Sequence, residues 1–247
     1  HAAVNGRGRH LSAQNGPELT KALRGILADI VRRSGGTAGV SVSGRALAAG
    51  TRKFVPSYLT GDWSGNLTAF SVLADGTTGA EIWNANAKLP AHTARNIVVG
   101  TGSSSAPRAI PFTWTSLGGA PAVMSALGGS ATEPVVNWLR GDRGQEGIGL
   151  RVRQALIGDV VNSTPIHVKD AFNGRYQQMP AGTPGRDSYA AFLDTKKARD
   201  GLVWVGANDG MLHAVRASDG VEVFAFIPNA VLGHLAALSN PASTQRC

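Results

Sequence analysis

Few residues of this 247-residue sequence are spaced in a way that suits chemistry. Asp62, Ser64 and Asn66 alternate like the first ligands of a calcium loop. Such a loop closes with a Glu at its twelfth position, and Leu73 stands there instead. The spacing therefore predicts turn residues that hydrogen-bond the backbone, and Asp209 and Asp219 read the same way. Histidines stand at 1, 10, 92, 167, 213 and 234, with no helical or strand spacing that would bring two imidazoles onto one metal. His213 falls on an expected strand and reads as a core or solvent-facing residue. No Ser/His/Asp arrangement with a nucleophile elbow is present. The chain thus reads as non-enzymatic, with no catalytic, cofactor-binding or metal-binding residue assigned. Arg140-Gly141-Asp142 lies in an expected polar loop. An exposed tripeptide of this kind offers a guanidinium and a carboxylate to an integrin-type receptor, so these three residues form a candidate receptor-binding site. The competing reading pairs Arg140 or Arg143 with an acid such as Asp159 inside the fold.

The elements that position these residues are short strands between tight turns. From Leu202 to Pro228 three apolar strand segments are separated by Asn208-Asp209-Gly210 and Ser218-Asp219-Gly220. Tight turns between twisted strands need positive φ, which Gly and Asn supply at low cost. A second copy runs from Tyr58 to Phe70 and aligns without a gap, placing Gly61 on Gly206, Gly65 on Gly210, Leu67 on Leu212 and Ala69 on Ala214. Asp75-Gly76 then matches Asp219-Gly220, and Glu81-Ile82-Trp83 matches Glu222-Val223-Phe224. Asp62, Gly65, Asn208, Asp209 and Gly210 are the expected blade-turn residues. A single meander buries one face and is marginal alone, so repeated meanders point to propeller blades rather than a sandwich.

Composition bounds the rest. With 43% hydrophobic residues, 32 Gly and 12 Pro, the chain is long enough for a core and rich in turns. It contains no run of 18 apolar residues. Its one cysteine, Cys247, excludes an internal disulfide framework and a multi-cysteine metal site. Residues 1–53 hold nine basic and two acidic residues, against fifteen and fourteen in the remainder, so the excess positive charge is a property of the N-terminal arm. The arm lacks interleaved aromatics, and no nucleic-acid partner is assigned. Starting at His1, the chain reads as a piece of a longer precursor.

Two regions are expected: residues 1–50, a basic arm with an amphipathic helix from Pro17 and a connector, and residues 51–247, an incomplete β-propeller. Leu19, Leu23, Ile26, Leu27 and Ile30 give the helix one apolar face. A strand is expected around Val40 to Val42, another at Arg95 to Gly100 and another at Ile110 to Trp114. Gly118 to Gly129 reads as loop, Val135 to Arg140 as a helical turn, and Gln154 to Val168 as two strands or a bent one. Residues 173–188 read as a long polar loop.

Four stretches carry a resemblance: Gly61 to Phe70; Trp138 to Arg143; Leu156 to Pro165; and Val205 to Ala214 with Phe226-Ile227-Pro228. Together they resemble the C-terminal β-propeller of the PilC/PilY type IV pilus proteins, over residues 17–240. The resemblance implies a mainly β, partial propeller with quinoprotein-like or PilY-like blades and an N-terminal helix. It implies a secreted or outer-membrane-associated protein at the pilus tip, with minor pilins, other tip components, a host-surface receptor and the rest of the same propeller as partners. It also implies calcium in the family, although its Asp/Asn ligand loop is not seen in this sequence and no cofactor is assigned. Alternatives are a quinoprotein-type dehydrogenase and a structural propeller of another secreted assembly. Trp83 has only Phe224 as its counterpart, which counts against the quinoprotein pattern.

Overall fold

The computed structural model of the chain describes residues 39–43, 50–60, 62–103, 105–169 and 175–242. The helix expected from Pro17, most of the arm, and also His1, His10, Gly61 and Cys247 lie outside the described residues. Strands β1 (Ser41–Val42), β2 (Arg52–Leu59), β3 (Ser64–Val72) and β4 (Thr78–Asn84) form an antiparallel sheet in chain order. Pro56 sits in β2 without disrupting it, because among the described residues β1 pairs only with Lys53 and Phe54. The second sheet holds β5 (Ile97–Gly100), β6 (Ala109–Pro111), β7 (Ile166–Val168), β8 (Leu202–Ala207), β9 (Met211–Arg216) and β10 (Glu222–Ile227), in the order β6-β5-β10-β9-β8-β7. All its pairs are antiparallel except β5 with β10.

The chain is thus mainly β, a partial propeller built on two meanders. Their turns repeat one device, in which an aspartate accepts the amide two residues on. Asp62 Oδ1 accepts from Ser64 N at 3.0 Å and Asp209 Oδ1 from Met211 N at 3.0 Å. Asp75 Oδ1 accepts from Thr77 N at 2.9 Å and Asp219 Oδ1 from Val221 N at 3.1 Å. The gapless alignment is corrected on this point. The matching turn residues are Asp62 and Asp209, not Gly65 and Gly210. Gly210 takes the positive φ of its turn (83°), whereas Gly65 lies inside β3 and Trp63 is the left-handed residue there (56°).

Alternate residues of the two sheets pack face to face. Phe54, Leu67, Ala69 and Trp83 from the first meet Val203, Val205, Val215 and Ala217 from the second, with Ile157 and Val160 between them. Trp83 stacks on Phe54 at 5.7 Å and donates its Nε1–H to Ala217 O at 3.1 Å. Gly220 (φ 81°) lies flat on its ring, where a Cβ would come within 2.7 Å. Phe224 pairs with Ala214 as Trp83 pairs with Ala69, and meets Trp204 as Trp83 meets Phe54, so the expected Trp83–Phe224 equivalence holds in register, with Phe224 on the face turned away from the first sheet. Trp83→Phe is expected to lose about 1 kcal/mol through the missing hydrogen bond, measurable by denaturant unfolding.

A helical layer covers the β5–β10 end of the second sheet. Its members are Trp114–Gly118, Pro121–Leu127, Glu133–Arg140 and Leu232–Leu235. Leu117, Val123, Leu127, Val136, Trp138 and Leu235 bury against Ile97, Val99 and Ile227. Two expectations change. The strand expected at Ile110 to Trp114 stops at Pro111 and turns into a helix capped by Thr113, whose Oγ1 accepts from Ser116 N. The small-residue stretch Gly118 to Gly129 holds the Pro121–Leu127 helix, with proline in its first turn and Val123 and Leu127 buried. Beyond the polar loop, Ser188–Lys197 is a helix.

Candidate functional site

The two sheets are fastened by the segment Leu156 to Pro165. Of the two strands, or bent one, expected over Gln154 to Val168, only Ile166–Val168 is a strand, and the rest is an extended strap. Its β-branched run is explained by burial of Ile157 and Val160 between the sheets. On one side Gly65 N donates to Ile157 O at 2.9 Å and Asp159 N to Trp63 O at 3.2 Å. On the other, Asn208 N donates to Asp159 O at 3.0 Å, Gly158 N to Asp209 Oδ2 at 3.1 Å, and Gly206 N to Ser163 Oγ at 3.0 Å. Asn86 Oδ1 accepts from both Leu156 N and Ile157 N at 3.1 Å. The strap therefore hydrogen-bonds the β2–β3 turn and the β8–β9 turn at once.

That closeness demands glycine. A Cβ on Gly65 would stand 1.9 Å from Gly158 O, and one on Gly158 would stand 2.4 Å from Asp209 N. Both obstacles are backbone atoms that cannot swing aside. The expected turn residues Asp62, Gly65, Asn208, Asp209 and Gly210 therefore have distinct places. Asp62 and Asp209 shape the turns, Gly65 gives the strap access, Gly210 takes the positive φ, and Asn208 Nδ2 donates to Asp159 Oδ2 at 3.0 Å.

Behind the strap lies a buried charge cluster that sequence reading missed. Arg95, next to β5, grips Glu222 of β10 with Nε at 2.6 Å and a second guanidinium nitrogen at 2.8 Å. Glu222 Oε1 also lies 2.7 Å from His213 Nδ1, and His213 Nε2 lies 3.0 Å from Asp209 Oδ2. His213 is 0% exposed and Glu222 5%. Burial by itself would lower the His213 pKa, but the Asp209 and Glu222 carboxylates outweigh it and raise it to about 9. Burial works to raise Asp209 and Glu222, yet His213 and Arg95 hold both below their ordinary values. His213 is thus an imidazolium with a carboxylate at each nitrogen and no face open to a substrate.

The signs give a pH window. The raised His213 contributes stability that is complete below its unfolded value of 6.5 and disappears as pH rises through about 9. The lowered Asp209 and Glu222 contribute stability present above 3.8 and 4.5 that is lost on acidification. Thermal unfolding followed by circular dichroism is expected to show a plateau between about pH 5 and 6.5, falling on acidification below it and between about pH 6.5 and 9 above it. His213→Gln is expected to remove the alkaline fall.

The candidate receptor tripeptide is also relocated. Arg140 ends the Glu133–Arg140 helix and is 5% exposed. Its guanidinium donates to Phe112 O at 2.8 Å, His92 O at 2.7 Å and Arg95 O at 3.1 Å. Gly141 is the left-handed cap (φ 113°). Asp142 accepts from Gly144 N at 3.0 Å. A buried guanidinium cannot be presented with Asp142 to a receptor, and it pairs with carbonyls rather than with Asp159. Arg143 bonds Glu146 at 3.2 Å, and Glu146 in turn takes Arg153 Nε at 2.7 Å. Arg153 lies 3.9 Å above the Trp138 ring, which fixes the loop onto the helix.

A cleft of about 40 Å³ remains between the Asp62–Ser64 turn, the strap, Trp138 and Arg151. It has room for a few waters. Calcium, implied by the resemblance, does not fit the alternating turn residues. Asp62 Oδ1 is taken by Ser64 N and Oγ, and Asn66 bonds Thr68 and Asn86. Among the described residues no group of three His, Cys, Asp or Glu side chains could hold a metal ion. No helix among them is long and apolar enough to cross a membrane.

Residues 157–238, which begin in the strap and contain all of β7 to β10, match the family model described as PilY1 beta-propeller domain. The chain is 39% identical over 222 residues to a type IV pilus biogenesis factor PilY1 homolog of Xylella fastidiosa strain Temecula1, covering 88% of this chain and 17% of that protein. It is 32% identical over 254 residues to type IV pilus biogenesis factor PilY1 of Pseudomonas aeruginosa strain UCBPP-PA14, covering 95% of this chain and 22% of that protein. The PilY1 of strain PAK is 33% identical over 270 residues, with the same coverage. The chain spans about a fifth of the length of these relatives. No solved structure matches it.

Proposed function

Because the chain belongs to the PilY1 family, we propose that it is a non-enzymatic scaffold segment of a type IV pilus biogenesis factor. In this reading it supports pilus assembly through contacts with minor pilins or other tip components, and through them adhesion, at the cell surface, pilus tip or outer membrane. One observation carries the non-enzymatic part. The histidine whose pKa is most altered, His213, is sealed between Asp209 and Glu222 and can exchange no proton with a substrate. Its charge is committed to holding β9, β10 and the strap together.

The test uses the full-length protein in a piliated strain. In-frame removal of residues 39–242 is expected to abolish surface pili in sheared fractions while cellular pilin stays constant. Undiminished piliation would overturn the proposal, as would alcohol-dependent dye reduction by the purified full-length protein.

A further inference from the structure

The cleft of about 40 Å³ between the Asp62–Ser64 turn and the strap is lined by polar groups that the fold leaves unused. Arg151 is pinned there by its backbone, with its N–H donating to Ser239 O at 2.8 Å and its carbonyl accepting from Trp138 Nε1 at 3.0 Å. Its guanidinium donates no hydrogen bond among the described residues, and its Nε is buried without a partner. Burial lowers the Arg151 pKa, and the carboxylates of Asp159, Asp62 and Glu146 offset only part of that. Neighbouring Arg153 differs, for its guanidinium is taken up by Glu146, Trp138 O and Asp142 O. A buried donor without an acceptor is rare in a native fold and marks a place for a missing partner.

Two carboxylates line the same cleft. Asp159 is 2% exposed; its Oδ2 accepts from Asn208 Nδ2, and its Oδ1 has no partner among the described residues. Asp62 gives Oδ1 to Ser64 and likewise keeps Oδ2. Trp63 forms a wall of the cleft with φ 56°, a left-handed position that glycine fills in the companion turn at Gly210. Such strain in a bulky residue gathers at binding sites.

We propose that this cleft binds a primary carboxamide, the head group of an asparagine or glutamine side chain. One cationic donor between two acceptors selects it. The carboxamide oxygen accepts from Arg151, and its NH2 donates to Asp159 Oδ1 and Asp62 Oδ2. A carboxylate would meet two like charges, and an ammonium group would meet Arg151. The three heavy atoms of a carboxamide need the room of about three waters, which the cleft has. The site goes beyond the proposed pilus role, and its test is independent of piliation.

Saturation-transfer NMR on the full-length protein, with acetamide as the probe, reads the site. Acetamide is expected to receive saturation. Arg151→Met is expected to weaken its binding about tenfold, the effect of one hydrogen bond from a charged donor, while Tm stays unchanged. Trp63→Gly suits the left-handed backbone and is expected to keep the fold while weakening binding. Acetate is expected to receive no saturation, and N-acetylglutamine methylamide to displace acetamide. Failure of that displacement would overturn the side-chain source. No saturation of acetamide would overturn the proposal by leaving the cleft to water. An acetamide signal unchanged in both variants, or an equal signal from acetate, would overturn it as well.

Discussion

Glu222→Ala is expected to destabilise the protein by about 3–5 kcal/mol, the cost of breaking a buried ion pair by removing one partner. Glu222 is the shared anion of the cluster, bonded by both Arg95 and His213. Without it two buried cations face each other with only Asp209 to balance them. Loss of Arg95 is milder in kind, because the remaining His213 still stands between two carboxylates. Glu222→Gln keeps the shape and removes the charge, so it isolates the electrostatic share. For a domain of this size the alanine variant corresponds to a fall in Tm of about 10 °C or more, readable by calorimetry. A change below about 1 kcal/mol would mean that the cluster does not hold β5, β9 and β10 together.

Gly158→Ala is the second large effect. The added methyl would meet the backbone of Asn208 and Asp209, at 2.9 and 2.4 Å. Neither atom belongs to a flexible side chain, so the strap must leave its place or the β8–β9 turn must move. Overpacking of this kind costs about 3 kcal/mol, the upper end of its usual range. It also strikes the hydrogen bonds from Gly158 N to Asp209 and from Asn208 N to Asp159 O. Gly206→Ala provides the control, since its Cβ would rest 3.6 Å from Ser163 Oγ in ordinary contact. Equal stability of the two variants in urea unfolding would contradict the strap's role.

The meanders were legible because their signal is local. Asp-Gly turns and alternating apolar residues define β2 to β4 and β8 to β10 within short windows. The register of the first hairpin was not, because Gly65 serves a contact with Gly158, far along the chain, and not the turn beside it. The strap looked like strand for a related reason. Burial between two sheets selects the same β-branched residues as membership of one. The Pro121–Leu127 helix hid in a run of small residues whose apolar members find partners only after folding. The charge cluster had no sequence signal at all. Arg95 and Glu222 are 127 residues apart, and nothing in the spacing of His213 reveals a carboxylate on each side. Arg140 misled in the opposite direction, since a familiar tripeptide says nothing of whether its guanidinium faces water or backbone carbonyls.

The strap's hydrogen bonds to both turns join the two sheets into one cooperative unit. Native-state hydrogen exchange at Gly65, Gly158, Asp159 and Asn208 tests it most directly, since these amides form the strap's bonds to both turns. All four are expected to exchange together, at the free energy of β9 core amides, and Gly158→Ala is expected to lower both sheets in step. Fast exchange at the strap while β9 stays protected would contradict it.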